Sequence, residues 1–134
     1  MITLITGGPC SGKTCLAIEN ALKQSKPVYT NIIDNTSDKS FLPKTFKVIP
    51  DSDWTLIDEP AYIIYDSCEH LDYFTAYSKL ADHRLQSLLT HRHLGHDIVL
   101  IFQHEKFAHP LIRQVAEHIY MHESYYSRRS FNDL

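Results

Sequence analysis

No stretch of this chain approaches the roughly 20 consecutive apolar residues that a membrane-spanning helix requires; the longest candidate, DIVLIF at 97–102, has six. Net basic charge is also lacking. Thirteen Lys and Arg stand against 16 Asp and Glu, for a formal charge of −3, so no overall positive field exists to gather nucleic acid non-specifically. Cysteine is scarce: Cys10, Cys15 and Cys68 are odd in number and lack C-x-x-C spacing, which suits a reducing compartment better than a disulfide framework. No basic leader precedes the first apolar run at Ile2, which argues against a signal peptide. Repeats and low-complexity tracts are absent too. The expectation is a soluble, cytoplasmic protein, with residues 1–134 forming one domain whose 43% hydrophobic content supports a real core.

What is present begins almost at once. In ITGGPCSGKTCLAIENAL, residues 5–22, Gly7, Gly12, Lys13 and Thr14 occupy the four specified places of G-x-x-x-x-G-K-[ST]. The glycines let the backbone turn tightly enough for successive N–H groups to face phosphate oxygens, Lys13 reaches the β and γ phosphates, and Thr14 offers a hydroxyl to Mg²⁺. Gly8, Pro9, Cys10, Ser11 and Cys15 complete the stretch expected to wrap ATP. The competing reading is an accidental glycine turn. Against it, the β-branched MITLIT precedes the loop and a helical period carrying Leu16, Ala17 and Ala21 follows it, so a strand feeds a helix N-terminus where an anion is favoured.

Strand and helix signals then alternate. PVYTNI reads as a strand, FKVIPDS as a short edge strand, 80–95 as a helix ended by Gly95, DIVLIFQ as a buried strand, PLIRQVAEH as a short helix and HIYMHES as a last strand. Such alternation predicts an α/β fold, a P-loop NTPase three-layer sandwich with a mostly parallel sheet. Within it, TLIDE presents an apolar run ending in Asp58, the expected Mg²⁺ carboxylate, and Glu59, placed to deprotonate an attacking water. The alternative is that Asp-Glu-Pro merely ends a strand in solvent. Gln103, just past DIVLIF, is expected at the ligand-facing end of the sheet as a sensor between water and γ-phosphate, or else is an ordinary loop residue. Arg92 and Arg113 are candidates for a guanidinium that neutralises transition-state charge, in the same or a neighbouring subunit; the bland alternative is a solvated helix arginine.

Nine histidines raise the question of a metal. His91, His93 and His96 fall on different faces of a helix, and His118 and His122, although on one face of a strand, lack partners at metal spacing. A structural metal is not expected. The tail SYYSRRSFNDL reads as a hairpin strand or frayed end; Tyr125, Tyr126, Arg128 and Arg129 would allow base stacking.

Taken together, ITGGPCSGKT, YTNI, LIDE and above all HRHLGHDIVLIFQHEKFAHPLIRQVAEHIY resemble the N-terminal domain of the zonular occludens toxin (Zot) family, the assembly ATPases of filamentous phages. The likeness covers about residues 2–120. It implies nucleotide-binding roles for Lys13 and Thr14, metal and catalytic acid roles for Asp58 and Glu59, the polar position after a core strand for Gln103, and family arginine positions for Arg92 and Arg113. It further implies a ring-forming homo-oligomer at the cytoplasmic face of the bacterial inner membrane, coupling ATP hydrolysis to virion extrusion, with phage coat and assembly proteins and a virion containing single-stranded DNA as partners. This chain departs from the family in having His96 where an aromatic usually follows the glycine, and in a compact segment between the phosphate loop and LIDE. Family members also continue into a membrane span and an exported region, to which the toxin activity belongs, whereas this sequence ends at Leu134. Two other classes share the loop: a small-molecule or nucleoside kinase, for which there is little room for a lid and acceptor pocket, and an ATP-dependent switch in which Glu59 is structural.

Overall fold

The computed structural model describes residues 1–9, 11–32, 42–78, 82–90 and 95–121. Its strands are β1 (Ile2–Thr6), β2 (Val28–Thr30), β3 (Lys47–Val48), β4 (Tyr62–Tyr65), β5 (Asp97–Phe102) and β6 (Glu117–Tyr120); its helices are α1 (Lys13–Leu22), α2 (His83–Gln86) and α3 (Pro110–Val115). The six strands form one sheet in the order β3-β2-β4-β5-β1-β6, and every pairing is parallel.

Successive strand residues point to opposite faces, and both faces are covered. Leu4, Ile63, Tyr65, Ile98, Leu100 and Phe102 bury one face against Phe74, Leu85, Leu88 and Ile112, whereas Ile5, Ile64, Val99 and Ile101 bury the other against Ala17 and Ala21 of α1. Two-sided burial explains why β4 and β5 read as unbroken apolar runs. The strands PVYTNI, FKVIPDS and DIVLIFQ appear where the sequence places them, with Lys47–Val48 at the sheet edge among the described residues; the helix PLIRQVAEH is shorter, ending at Val115 with Glu117 and His118 already in β6, and the last residues of HIYMHES lie outside the described residues.

Two other elements differ from expectation. The helix predicted over 80–95 is, among the described residues, only α2 followed by a 3-10 turn at Ser87–Thr90. Asp82 caps it by accepting from the Arg84 N–H, and the Thr90 hydroxyl donates back to the Ser87 carbonyl at 3.3 Å, a local bond with which short polar side chains compete against helix continuation. The strand predicted at TLIDE is instead a single 3-10 turn, Trp54–Leu56. Asp53 accepts from both the N–H and the hydroxyl of Thr55, while Trp54 donates its N–H to the Tyr65 hydroxyl and its indole N–H to the Arg84 carbonyl. Those bonds tie the segment into a turn, and the strand begins only at Tyr62.

Candidate nucleotide-binding and active site

The carboxyl end of a parallel sheet gathers strand exits, and here β1, β4 and β5 bring the functional groups together. Gly7, at the β1 exit, donates its N–H to the Gln103 carbonyl at 3.3 Å. A Cβ at Gly7 would lie 2.7 Å from Ser11 Oγ and 2.8 Å from the Met121 carbonyl oxygen, so no larger residue fits between them. Gly12 has φ 90, the left-handed region open to glycine, and starts α1. Lys13 Nζ donates to the carbonyls of Gly7 and Gly8, both at 2.8 Å, and to Ser11 Oγ at 3.4 Å, so its ammonium lies over the loop. Ser11, Gly12, Lys13, Thr14 and Cys15 line a shallow cavity of about 230 Å³. Pro9 and Cys15 are exposed; Cys10 lies outside the described residues.

The carboxylate facing this loop is Asp66, the residue after β4. Thr14 Oγ1 donates to Asp66 Oδ1 at 3.3 Å, and the same oxygen accepts from the Ser67 N–H. Asn31, after β2, clamps Asp66 on both sides, accepting from its N–H at 2.7 Å and donating to its carbonyl at 3.0 Å. Burial pushes the Asp66 carboxyl above the usual carboxylate range, against the opposing pull of the Ser67 and Thr14 hydrogen bonds and the Lys13 charge. A threonine hydroxyl beside a desolvated carboxylate is a hard-oxygen pair of the kind that holds Mg²⁺ while leaving it several waters. The residues therefore fit that ion.

Asp58 and Glu59 are not at this site. They precede β4 and so lie at the opposite, amino end of the sheet, a strand length of roughly 15 Å away. Asp58 is exposed. Glu59 accepts from the Tyr29 hydroxyl at 2.8 Å and pairs with Lys47 at 3.2 Å, bonds that hold its carboxyl below the usual range. The metal and base assignments to Asp58 and Glu59 are corrected accordingly, because the apolar run that ends beside the loop is YIIY, not TLI.

Glu69, missed from the sequence, sits at the right end. It lies on a 3-10 turn three residues past Asp66, its side chain only 12% exposed, and Oε1 accepts from the Gln103 N–H at 3.0 Å. Ser67 intervenes in a left-handed conformation, φ 54, which turns the chain between the two acids. The sequence signal was available in AYIIYDSCE: an apolar strand closed by an aspartate, with a second acid one turn on.

Gln103 lies where expected, at the β5 exit with its side chain exposed and its main chain bonded to both Gly7 and Glu69. Arg113 is exposed on α3, next to buried Ile112 and outside the phosphate-loop cluster; burial first and then the Arg113 charge lower the pKa of His109. Arg92 lies outside the described residues, as do His91, His93, His122 and the tail. His96, the departure from the family's aromatic, is buried: its Nδ1 accepts from the Ala61 N–H, its Nε2 faces the Ile57 carbonyl at 3.2 Å, and its ring meets Trp54 edge-on. The main-chain donor at Nδ1 fixes the neutral tautomer with the proton on Nε2.

A family model for zonular occludens toxin (Zot) matches residues 1–127. The chain belongs to the Zot family. Among relatives, ORF301 of Pseudomonas phage Pf3, whose name gives it a provisional role in assembly, is 40% identical over 131 residues. That match takes in 92% of this chain but 43% of the Pf3 protein, so the chain spans less than half the length of its relative. Among solved structures, the N-terminal domain of zonular occludens toxin from Neisseria meningitidis superposes with TM-score 0.62 at 24% identity, covering 89% of this chain and 75% of that one. B204, the DNA-packaging ATPase of Sulfolobus turreted icosahedral virus, gives TM-score 0.65 at 18% identity and coverages of 89% and 74%. Its counterpart from Sulfolobus turreted icosahedral virus 2, solved with ATP-gammaS, gives 0.62 at 15% identity. At these identities the structural likeness establishes the α/β fold alone.

Proposed function

We propose that this Zot-family chain binds ATP with Mg²⁺ and hydrolyses it to drive the assembly and extrusion of a filamentous phage. The observation that carries the chemistry is the Thr14–Asp66 contact beside Lys13: hydroxyl, carboxylate and ammonium converge at one strand-to-helix turn. In this reading the loop N–H groups and Lys13 hold the phosphates, and Thr14 with Asp66 holds Mg²⁺, which when bound neutralises charge on the β and γ oxygens. Glu69 takes the base role first assigned to Glu59. It receives a proton from the water that adds to the γ-phosphorus while the bond to the bridging oxygen breaks, giving ADP and inorganic phosphate. Gln103, bonded through its main chain to Glu69 and Gly7, offers its amide to orient that water.

The remaining parts of the proposal rest on family membership and the Pf3 relative. The chain works in a homo-oligomeric ring in which Arg113 or Arg92 reaches a neighbour's γ-phosphate. The ring acts on phage coat and assembly proteins and a virion carrying single-stranded DNA, at the cytoplasmic face of the inner membrane.

Phosphate release from Mg-ATP per protein molecule, measured across a wide range of protein concentrations, tests both levels. Turnover that climbs with concentration, and falls at least about 100-fold in Lys13→Ala, supports an ATPase completed by a neighbour. Concentration-independent turnover overturns the arginine in trans, and turnover unaffected by Lys13→Ala overturns the site.

A further inference from the structure

The phosphate loop is fastened on its far side by a chain of groups that the proposed reaction does not use. Thr6, the last residue of β1 and the one before Gly7, is 2% exposed, and its hydroxyl lies 2.7 Å from Nε2 of His118 on β6. Nδ1 of His118 lies in turn 3.5 Å from a carboxylate oxygen of Glu105, on the turn that follows β5. A carboxylate only accepts, so the favourable tautomer carries the proton on Nδ1 toward Glu105 and leaves Nε2 to accept from the Thr6 hydroxyl. The order hydroxyl, imidazole, carboxylate thus links β1, β6 and the β5 exit.

The main chain reinforces the same junction. Met121, next after β6, donates its N–H to the Thr6 carbonyl at 2.8 Å, and its carbonyl and Cβ fill the space where a Gly7 side chain would stand. On the opposite flank Gly7 bonds to Gln103. The loop's first residue is therefore held between β5 and β6, and among the described residues β6 is an edge strand paired with β1.

We propose that His118 is a positioning residue for the phosphate loop, acting through Thr6. A hydroxyl bonded at the last strand residue fixes the direction in which the chain leaves the sheet. Removing that bond leaves a buried hydroxyl unsatisfied and frees the loop to swing about Gly7. The inference rests on the proposed ATPase reading for its effect on turnover, but not for its effect on the loop itself. A structural tie elsewhere in the sheet would lower stability alone; a tie at the loop's hinge misplaces Lys13 and Thr14 together, and small misplacements cost rate more than binding.

The test compares His118→Ala, His118→Gln, Thr6→Val and the Thr6→Val/His118→Ala pair, each by steady-state hydrolysis of Mg-ATP and by amide hydrogen exchange of peptides covering residues 6–16. In both single truncations kcat is expected to fall about tenfold with KM changed less than about threefold, and exchange at 6–16 to rise about tenfold with β2 and β4 peptides unchanged. The pair should be no worse than either single change, because both remove one bond, and Gln, which offers an acceptor and a donor, should recover part of the rate. Additive losses, or loop exchange that stays at the wild-type level, overturn the proposal. If Ala at 118 does not fold, Thr6→Val and His118→Gln carry the same comparison. A wild-type protein without turnover would contradict the ATPase reading instead, and the loop exchange would still decide the clamp.

Discussion

The two ends of the sheet carry the same kinds of side chain and use them in opposite ways. At the amino end, Glu59 meets Tyr29 and Lys47, and Asp97 meets Lys26 at 2.9 Å and the N-terminal ammonium at 3.2 Å. At the carboxyl end, Asp66 faces a hydroxyl and a backbone N–H while Lys13 turns to loop carbonyls. For Asp97, burial works upward but the bonds from Lys26 and the N-terminus outweigh it, leaving the carboxyl below its usual range. Asp66 goes the other way because burial wins. The difference lies in compensation: carboxylates at the strand starts meet cations, whereas the Asp66 carboxyl is desolvated and only partly compensated, the setting on which the proposed cation site rests.

The comparison breaks most sharply at Glu69. Glu69→Gln should lower phosphate release by about 100-fold or more while ATP binding, followed by a fluorescent nucleotide, persists. Turnover within threefold of wild type would remove Glu69 from the base role. Next in size, Asp97→Asn should cost about 1 kcal/mol of unfolding free energy in urea titration and leave turnover per folded molecule unchanged, since it loosens only the amino end.

Acidity separates the two ends by sign. Burial lowers the pKa of His96 below its ordinary 6.5, so between that value and the lower folded one the unfolded chain binds a proton that the folded chain refuses, and stability falls as pH drops below about 6.5. Asp66, whose folded pKa is raised above 3.8, does the reverse: its ionisation costs stability as pH rises above 3.8. Asp66→Asn should therefore raise the melting temperature of nucleotide-free protein at pH 7. Smallest of all, Glu59→Gln should leave the melting temperature within error, because the Glu59–Lys47 pair is solvent-exposed and such pairs contribute little.

Much of this was legible from the residues. Gly7, Gly12, Lys13 and Thr14 announce their loop because each has a task no other residue type performs, and DIVLIF announces a strand buried on both faces. What misled was TLIDE, a run of apolar residues closed by acids that has the composition of a strand end and the wrong place. Its fate is settled by a local cap, Asp53 accepting from Thr55, together with longer-range bonds from Trp54 to Tyr65 and to Arg84 that no local pattern displays. The true strand, YIIY, begins past TLIDE at Tyr62, and its Tyr65 holds the turn that took the place of the expected strand. The tie made by His118 is not legible in the sequence because its partners, Thr6 and Glu105, are distant along the chain.

The most direct test sets one carboxylate from each end side by side: phosphate release from Mg-ATP per protein molecule for wild type, Asp66→Asn and Glu59→Gln under identical conditions. The structure predicts at least about a 100-fold loss in Asp66→Asn and turnover within twofold of wild type in Glu59→Gln. Loss in Glu59→Gln with Asp66→Asn active would contradict the proposed metal site at the end of β4.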